Sequence, residues 1–292
     1  MDIDKRIQKE YAKAPLNADL IEGFDDYIEP KQDKDHPAPL DPILNSLEAK
    51  NYTGSYDILS FRNNFNKILA TPYNAQNPWT MHAYKTKKNQ ILLDVQLDSS
   101  TNSRPTSEYQ SQCCYAGRHY ETLSTTSLSD NPSVEGNEQE EYCGVFAWKL
   151  EDVRLILAAE IDCEKNGKFV ELKTFRELKT SKDQYVFERF KLMNFWIQSY
   201  LVGVPYIQCG FRTRQFELIK QQMFETNQLP HYGKKHWNPQ TCLHFAHRFV
   251  QWLGQYVSDT DSTYVVTFDP AQRLVRLEVK DGKVSNAKTL GF

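Results

Sequence analysis

An Asn-Gly pair at positions 166 and 167 separates two runs of residues that have the composition of β-strands. The first run passes through the apolar residues 155–159, and the second begins at Lys168 and continues into Phe169 and Val170. Both central residues of a tight hairpin turn must adopt positive φ, which Asn and Gly tolerate better than other residues. The sequence therefore predicts a β-hairpin whose two strands are neighbours in a mostly buried sheet.

Four charged side chains occur where such buried strands should be apolar. Glu160 and Asp162 lie before the turn, and Glu171 and Lys173 lie after it. Because side chains alternate along a strand, each pair should share one face of its own strand. If the hairpin register aligns the pairs, three carboxylates and one ammonium meet in one patch, where repulsion and desolvation raise the pKa values of the carboxyl groups. A divalent metal ion would resolve that conflict.

Such a patch suits metal-dependent phosphoryl chemistry. Mg²⁺ takes oxygen ligands, and two metal ions together stabilise the attacking and the leaving oxygen of a hydrolysis. Lys173 would orient a nucleophilic water or neutralise a phosphate oxygen. The alternative is a hairpin whose charged residues are simply solvated, which is the commoner explanation for Glu171 and Lys173 taken alone. The presence of Glu160 and Asp162 just before the turn favours the metal site.

Helices and strands alternate irregularly along the chain, which favours a mixed α/β (α+β) fold with antiparallel pairing. We predict that residues 1 to about 45 form an irregular arm, because they are charged and rich in proline, and that residues 124–141 form a loop. Ser181, with Gln184 three residues later, has the pattern of a capping box that opens a long helix. The other predicted elements are helices over 61–70, from Thr106 to about 121, and over 241–257, and strands over 80–85, 90–96, 143–150, 206–211, 263–268 and 274–279.

A length of 292 residues fits one large domain or two small ones. No segment has the composition of a linker, so we expect a single catalytic domain over residues 1–292, with the irregular arm at about 1–45. A hydrophobic content of 40% excludes a disordered chain. The net charge of -3 gives no broad attraction to nucleic acid, so a partner of that kind must be bound by local basic residues and metal ions.

The six cysteines show no Cys-x-x-Cys spacing and follow no secretory signal, so we expect free thiols in a reducing, intracellular compartment. No apolar run approaches the roughly 18–20 residues that cross a bilayer. Cys242, His244 and His247 superficially resemble zinc ligands, but a fourth partner is missing and the surrounding segment has helical periodicity. Histidines on a packed helix are therefore the preferred interpretation.

Several short segments, taken together, resemble the DXO family of RNA decapping and exoribonuclease enzymes, which includes the fungal proteins that partner the nuclear Rat exonuclease. They follow the family's order across about residues 55–215, and they are specific jointly although each alone is weak. The segments are 60–62 through 71–73, Gly117 to Glu121, Glu160-Ile161-Asp162, Glu171-Leu172-Lys173, Trp196-Ile197-Gln198, and 203–205 through 210–212.

The resemblance assigns metal-binding roles to individual residues of this chain. It implies that Glu121, Asp162 and Glu171 ligate metal directly. It further implies that the backbone carbonyl of Leu172 is a ligand and that Glu160 binds metal through a water molecule. The implied cofactors are two Mg²⁺ or Mn²⁺ ions.

The resemblance also places Lys173 and Gln198 beside the scissile phosphate, where they and Glu160 would form the catalytic group, and Arg62 at the RNA 5′ phosphate region. One position departs from the family, because Arg118 follows the motif's glycine where an apolar residue is normal. The implied fold is two packed mixed β-sheets with flanking helices and a core similar to that of the PD-(D/E)XK nucleases.

The resulting expectation is a metal-dependent hydrolase of RNA 5′ ends that removes incomplete caps, NAD caps or 5′ pyrophosphate, with 5′-3′ exoribonuclease activity as a further family property. One alternative is a weakly active or inactive partner that stabilises a 5′-3′ exoribonuclease, and another is a PD-(D/E)XK nuclease that cleaves DNA. We expect an intracellular protein without membrane association, located in the nucleus, with the cytoplasm as the alternative. The sequence does not choose among the types of RNA 5′ end.

Overall fold

Two mixed β-sheets with flanking helices build the computed structural model of the protein, which describes residues 9–27, 40–95, 107–127, 142–280 and 288–292. This architecture confirms the predicted fold class. The strands are β1 (Lys9–Tyr11), β2 (Ile58–Phe61), β3 (Trp79–Lys85), β4 (Ile91–Val95), β5 (Thr125–Ser127), β6 (Tyr142–Leu150), β7 (Val153–Ile161), β8 (Cys163–Lys165), β9 (Lys168–Arg176), β10 (Tyr206–Arg212), β11 (Leu218–Glu225), β12 (Thr263–Asp269), β13 (Leu274–Val279) and β14 (Lys288–Gly291). The helices are α1 (Asp41–Ala49), α2 (Arg62–Ala70), α3 (Glu108–Leu123), α4 (Ser181–Val186), α5 (Leu192–Tyr200), α6 (Leu229–Gly233) and α7 (Pro239–Tyr256).

The described residues divide into two compact units, and each unit contains one sheet. Unit 1 is drawn from Met1–Gln32, Ser103–Gly144 and Glu160–His236, and unit 2 from Asp33–Asn102, Val145–Ala159 and Trp237–Phe292. Neither unit is a continuous stretch of sequence, which explains why no linker is recognisable in the chain. The single catalytic domain stays a prediction.

The sheet of unit 1 has the strand order β11-β10-β9-β8-β1-β5. Its central strands β9 and β10 run parallel, whereas β8 and β9 are antiparallel. Part of the predicted irregular arm belongs to this unit, since β1 pairs with both β5 and β8. Ala14 and Leu20 are buried in the same core as Ala116 and Tyr120 of α3. Burial of these apolar side chains therefore fixes a segment whose composition suggested an irregular arm.

The helical segment after β9 begins with a capping box, but one residue earlier than predicted. Thr180, not Ser181, is the N-cap, and its hydroxyl accepts a hydrogen bond from the backbone N–H of Asp183 at 3.1 Å. The Asp183 carboxylate accepts in return from the backbone N–H of Thr180 at 3.0 Å. The pairing with Gln184 was wrong because an aspartate at the third helical position closes the box equally well. A π-helical turn over Phe187–Lys191 then connects α4 to α5.

The sheet of unit 2 has the strand order β14-β13-β12-β3-β4-β2-β7-β6. Strand β2 runs parallel to both β4 and β7, while β3, β12 and β13 pair antiparallel with their neighbours. The ring of Trp79 packs against Phe249 of α7 and Phe268 of β12, with centroids 6.1 and 5.7 Å away. The predicted helices 61–70 and 241–257 and the C-terminal hairpin are confirmed, with boundaries shifted by no more than two residues.

Some predicted features lie outside the described residues or differ in detail. Ser107 caps α3 by accepting a hydrogen bond from the N–H of Gln110, whereas the predicted cap Thr106 falls outside the described part of the chain. Most of the predicted 124–141 loop also falls outside it, apart from β5. All six cysteines are free thiols. Within the described ranges, every helix is too short or too polar to cross a membrane.

Candidate functional site

Strands β8 and β9 form the hairpin predicted around the Asn-Gly pair. The φ angles are 52° at Asn166 and 72° at Gly167, as a tight turn between two strands requires. The strand that precedes the turn is divided, however. Strand β7 ends one residue before Asp162 and belongs to the sheet of unit 2, whereas β8 begins one residue after it and belongs to the sheet of unit 1.

Asp162 occupies this junction and is fixed to the neighbouring strand β9. Its Oδ2 accepts a hydrogen bond from the backbone N–H of Leu172 at 2.6 Å, which places the carboxylate beside Glu171. Glu160 lies on β7 and is exposed. The common strand face expected for Glu160 and Asp162 stays a prediction. A role for Glu160 through a water ligand stays a prediction.

Glu171 and Lys173 are two residues apart on β9 and share one face, as predicted. The Glu171 side chain is only 1% exposed, and its Oε1 lies 2.5 Å from Nζ of Lys173. The same oxygen accepts a hydrogen bond from Nε2 of Gln198 on α5. Lys191 and Asn194, which precede Gln198 by seven and four residues, are exposed, whereas Gln198 is half-buried. The side-chain amide of Gln198 therefore interacts with this acidic site rather than with solvent.

Glu121, in the last turn of α3, joins the acids of the hairpin. Burial raises the pKa of Glu121, the Lys173 ammonium lowers it, and the Glu171 carboxylate raises it further. The pKa of Asp162 is raised well above its usual range, first by burial and then by Glu171, against the effect of Lys173. The Glu171 carboxylate thus raises the pKa values of Glu121 on α3 and of Asp162 on the hairpin, which places the three acids close together.

Lys173 stays protonated and positively charged at this site. Burial alone lowers the pKa of its ammonium, but the charges of Glu171 and Asp162, the hydrogen bond to Glu171 and the charge of Glu121 outweigh burial and raise the pKa overall. One ammonium does not balance three carboxylates, so the site favours the binding of a further cation.

The donor set fits a hard divalent cation, since Glu121, Asp162 and Glu171 offer carboxylate oxygens, which Mg²⁺ and Mn²⁺ prefer. In the described ranges, no three His, Cys, Asp or Glu side chains are already gathered in an arrangement that could hold a metal ion. The oxygens of Asp162 and Glu171 accept hydrogen bonds from Leu172, Lys173 and Gln198 instead. To bind a metal ion, Asp162 and Glu171 would therefore have to give up some of these hydrogen bonds.

Two further sequence predictions concern residues of unit 2. Arg62 is the first residue of α2 and is 7% exposed, and its role at an RNA 5′ phosphate stays a prediction. Of the zinc-like group, Cys242 is fully buried in α7, and the ring of His247 lies 2.6 Å from the Asp152 carboxylate. Packing accounts for Cys242 and a hydrogen bond for His247, whereas His244 is exposed, and the interpretation of this group stays a prediction.

Sequence reasoning overlooked residues that lower the pKa of Glu121 or pack beside it. Lys9 and Arg118 both lower the pKa of this acid, so the residue that departs from the family motif contributes positive charge close to the site. Tyr120 is fully buried and meets β10 at Gly210, where a Cβ atom would lie 2.7 Å from the ring. The contact between Gly210 and the ring of Tyr120 could not be predicted from the sequence, because it forms only when α3 packs against β10.

Comparison with known proteins shows the family of the chain. A family model described as "RAI1 like PD-(D/E)XK nuclease" matches residues 1–290. The decapping nuclease RAI1 of Neurospora crassa is 31% identical over 284 residues, covering 86% of this chain and 68% of the relative. The RAI1 of Gibberella zeae is 30% identical, covering 88% and 77%. The decapping and exoribonuclease protein of Xenopus laevis is 27% identical over 73% of this chain, which spans only 57% of that relative's length.

Solved structures share the fold. Scheffersomyces stipitis Rai1, in complex with (3'-NADP)+ and calcium ion, has a TM-score of 0.82 at 21% identity, over 94% of this chain and 83% of that one. Candida albicans Rai1, in complex with pU5-Mn2+, has a TM-score of 0.80 at 24% identity, over 94% and 84%.

Proposed function

Because the chain belongs to the RAI1-like PD-(D/E)XK nuclease family, we propose that it is a metal-dependent hydrolase of RNA 5′ ends. The proposal is carried by one observation, the grouping of half-buried Glu121 and Asp162 with buried Glu171, to which Lys173 and Gln198 both donate hydrogen bonds. Its curated relatives are named as decapping nucleases and as decapping and exoribonuclease proteins. Removal of incomplete caps, NAD caps or 5′ pyrophosphate belongs to the same proposal, and so does an accompanying 5′-3′ exoribonuclease activity.

The cofactor of this proposal is a pair of Mg²⁺ or Mn²⁺ ions bound by Glu121, Asp162, Glu171 and the carbonyl of Leu172, with Glu160 acting through water. The fold relatives support a divalent metal, since one of them is described with Mn²⁺ and another with calcium. When bound, the metal would lower the pKa of a water molecule and stabilise the charge of the reacting phosphate.

The side chains around these acids have separate tasks in the proposal. Lys173, whose ammonium stays charged next to Glu171, would bind a phosphate oxygen and neutralise its charge. Gln198 donates its amide to Glu171, so it would fix the orientation of that carboxylate and position the substrate. Arg62 would contact the 5′ phosphate region of the RNA.

The proposal is tested by the isosteric substitutions Glu171→Gln and Asp162→Asn, which each remove a charge and no packing volume. Release of product from 5′-labelled triphosphate RNA and from NAD-capped RNA is measured with Mn²⁺ and again after chelation by EDTA. We expect turnover to vanish in both variants and in EDTA, and to return for the wild type on addition of Mn²⁺. Glu164→Gln, on β8 of the same hairpin, is the matched control and should retain activity.

A wild-type rate in either variant, with folding verified by circular dichroism, would contradict the metal assignment. Equal cleavage of DNA and RNA ends would indicate a DNA nuclease of the same fold. An inactive chain that co-elutes with a 5′-3′ exoribonuclease and stabilises it would indicate a binding partner. Nuclear residence is part of the proposal as well, and microscopy of the fluorescently tagged chain in cells tests it.

A further inference from the structure

One face of the six-stranded sheet carries side chains that form a row across five neighbouring strands, from β11 to β1. We call it the lysine–tyrosine row, and its members, in strand order, are Met223, Tyr206, Lys168, Lys165 and Tyr11. Lys165 lies directly opposite Lys168 in the β8–β9 hairpin, so these two side chains share a face. Five strands at the usual spacing make the row about 19 Å long.

Cations and aromatic rings are in contact along this row. The Nζ atom of Lys165 lies 4.9 Å from the ring centroid of Tyr11, and that of Lys168 lies 5.6 Å from the ring centroid of Tyr206. Both lysines are exposed, whereas both tyrosines are half-buried. Within the described ranges neither lysine forms an ion pair, so each ammonium keeps hydrogen-bond donors for an anion.

A cavity of about 280 Å³ opens beside the row, and it is lined by Lys165, Asn166, Lys168, Tyr206 and Met223. Among the described residues that line it there are two cations and one side-chain amide, but no carboxylate. Lysine and amide groups donate hydrogen bonds to phosphate oxygens. The cavity therefore suits a phosphate group together with the sugar or base that it carries.

The acidic side chains of these strands do not line this cavity. Glu10 of β1 and Glu164 of β8 lie on the opposite face of the sheet, because side chains alternate along a strand. Glu225 pairs with Tyr206 in the register of β10 and β11, and its carboxylate accepts a hydrogen bond from the side chain of Gln228 at 3.0 Å. Two lysines against one glutamate leave the row positive, although the net charge of the chain is -3.

Strand β1 connects the row to the acidic site. Lys9 lies two residues before Tyr11, on the same face of the strand and about 7 Å away. The charge of Lys9 lowers the pKa of Glu121, so this lysine is close to the acids. Lys9 and Tyr11 thus lead from the acidic site to the row within unit 1.

We propose that the lysine–tyrosine row binds the single-stranded part of an RNA whose 5′ end occupies the acidic site. Phosphates would lie beside Lys165 and Lys168, and bases would stack on Tyr206 and Tyr11. This inference rests on the proposed function, which supplies the choice of RNA as the nucleic acid. Proteins that bind single strands combine cations along the backbone with aromatic side chains that stack on bases, and the row offers both. Each flexible lysine would leave its ring for a phosphate oxygen and so free that ring face for a base.

Other anionic partners use less of this surface. An acidic peptide would satisfy the two lysines, but its carboxylates would not stack on the tyrosine rings. An anionic membrane surface would also attract the lysines, but it would not enter the cavity between Lys168 and Tyr206. RNA satisfies the cations, the rings and the cavity together.

The test uses a fluorescein-labelled single-stranded RNA of about twelve nucleotides with a 5′ hydroxyl, a length within the usual site sizes for single strands. Binding to the full chain is measured by fluorescence anisotropy in EDTA, which prevents cleavage. We expect a Kd of about 1–100 µM at physiological salt, as is typical of binding without sequence preference. Absence of saturable binding up to about 1 mM would overturn the proposal.

The lysines are tested by the double substitution Lys165→Gln and Lys168→Gln, with Lys87→Gln and Lys88→Gln in the exposed turn between β3 and β4 as the matched control. Each phosphate contact to a single strand contributes about 0.7 to the slope of log K against log salt, so the first variant should reduce this slope by about 1.4. Its affinity at low salt should fall by about tenfold or more, whereas the control should keep both values. An unchanged slope in the first variant, with folding verified by circular dichroism, would refute the phosphate contacts.

The substitutions Tyr11→Leu and Tyr206→Leu separate base stacking from charge. Loss of a stacked base should weaken RNA binding by about fivefold or more in each variant, whereas inorganic polyphosphate, which has no bases, should bind these variants and the wild type equally. Wild-type RNA affinity in both variants would overturn the stacking. Tighter binding of a polyglutamate peptide or of phosphatidylserine vesicles than of RNA, lost in the lysine double variant, would replace RNA by a protein or a membrane.

Turnover distinguishes failure of this inference from failure of the proposed function. With Mn²⁺, the lysine double variant should show a raised KM for a 5′-triphosphate RNA of about twelve nucleotides and an unchanged rate on a 5′-triphosphate dinucleotide, which offers no further nucleotides to the row. Wild-type KM on the longer RNA would refute the link between the row and the acidic site. RNA binding that depends on the row in a chain that hydrolyses neither substrate would refute the proposed function and leave the row as an RNA site.

Discussion

Substitution of Gly210 by alanine should disturb the position of Glu121 without touching the acidic site directly. Gly210 lies on β10 opposite the fully buried ring of Tyr120, the residue that precedes Glu121 on α3. A Cβ atom there would lie 2.7 Å from Cε2 of Tyr120 and 2.9 Å from Cδ1 of Leu218. Carbon atoms do not approach so closely, so α3 and β10 must separate.

The required displacement is about 0.5–1 Å, and overpacking of this kind lowers the free energy of unfolding by roughly 1–3 kcal/mol. For a chain of this size each kcal/mol changes Tm by roughly 2–4 °C, so we expect a fall of about 2–12 °C. Because misplacement of a catalytic group by about 1 Å reduces rates by up to roughly a hundredfold, turnover should decrease as well.

Equilibrium unfolding in urea measures the effect, with Gly254→Ala as the control. No atom lies within 4 Å of a Cβ at Gly254 of α7, so the same chemical change should stabilise the protein by roughly 0.5–1 kcal/mol. In a Tyr120→Leu background, which lacks the clashing ring atoms, Gly210→Ala should cost about 1 kcal/mol less. Unchanged or increased stability of Gly210→Ala, or strict additivity with Tyr120→Leu, would refute the reasoning.

Three further predictions concern the fold around the site. The Thr180 hydroxyl lowers the pKa of Asp183, so this acid stabilises the fold above about pH 4 and loses the contribution as pH falls through its folded pKa. The stability difference between wild type and Asp183→Asn in urea should therefore shrink as pH falls from about 6 to 3, and a constant difference would contradict the pairing. Gly167→Ala should destabilise by roughly 1 kcal/mol in thermal unfolding, because φ is +72° there, and a gain would show that the turn differs. Exposed Cys114 should react with a thiol reagent in the native protein. Cys209 should react only after unfolding, because it is buried and burial raises its pKa to about 12. Labelling of Cys209 in the native protein would contradict its burial.

Local patterns were sufficient to predict most elements near the site. The Asn166-Gly167 turn requires positive φ at both residues, and only a few residue types tolerate it, so the hairpin is visible in the sequence. Strand alternation likewise predicted that Glu171 and Lys173 share a face. The division of the preceding strand at Asp162 was not predictable, because pairing partners far away in sequence decide which sheet a strand joins.

The sequence by itself determined the acid-rich hairpin and, through spaced motifs, the family whose model matches residues 1–290. Tertiary structure decided that Asp162 falls between β7 and β8 and accepts a hydrogen bond from Leu172, that Gln198 contacts Glu171, and that Arg118 and Lys9 lower the pKa of Glu121. It also decided which side chains of five strands form the lysine–tyrosine row beside a cavity. The physical reason is that turns and alternation depend on neighbouring residues, whereas charge coupling and strand order depend on packing between segments that are distant in sequence.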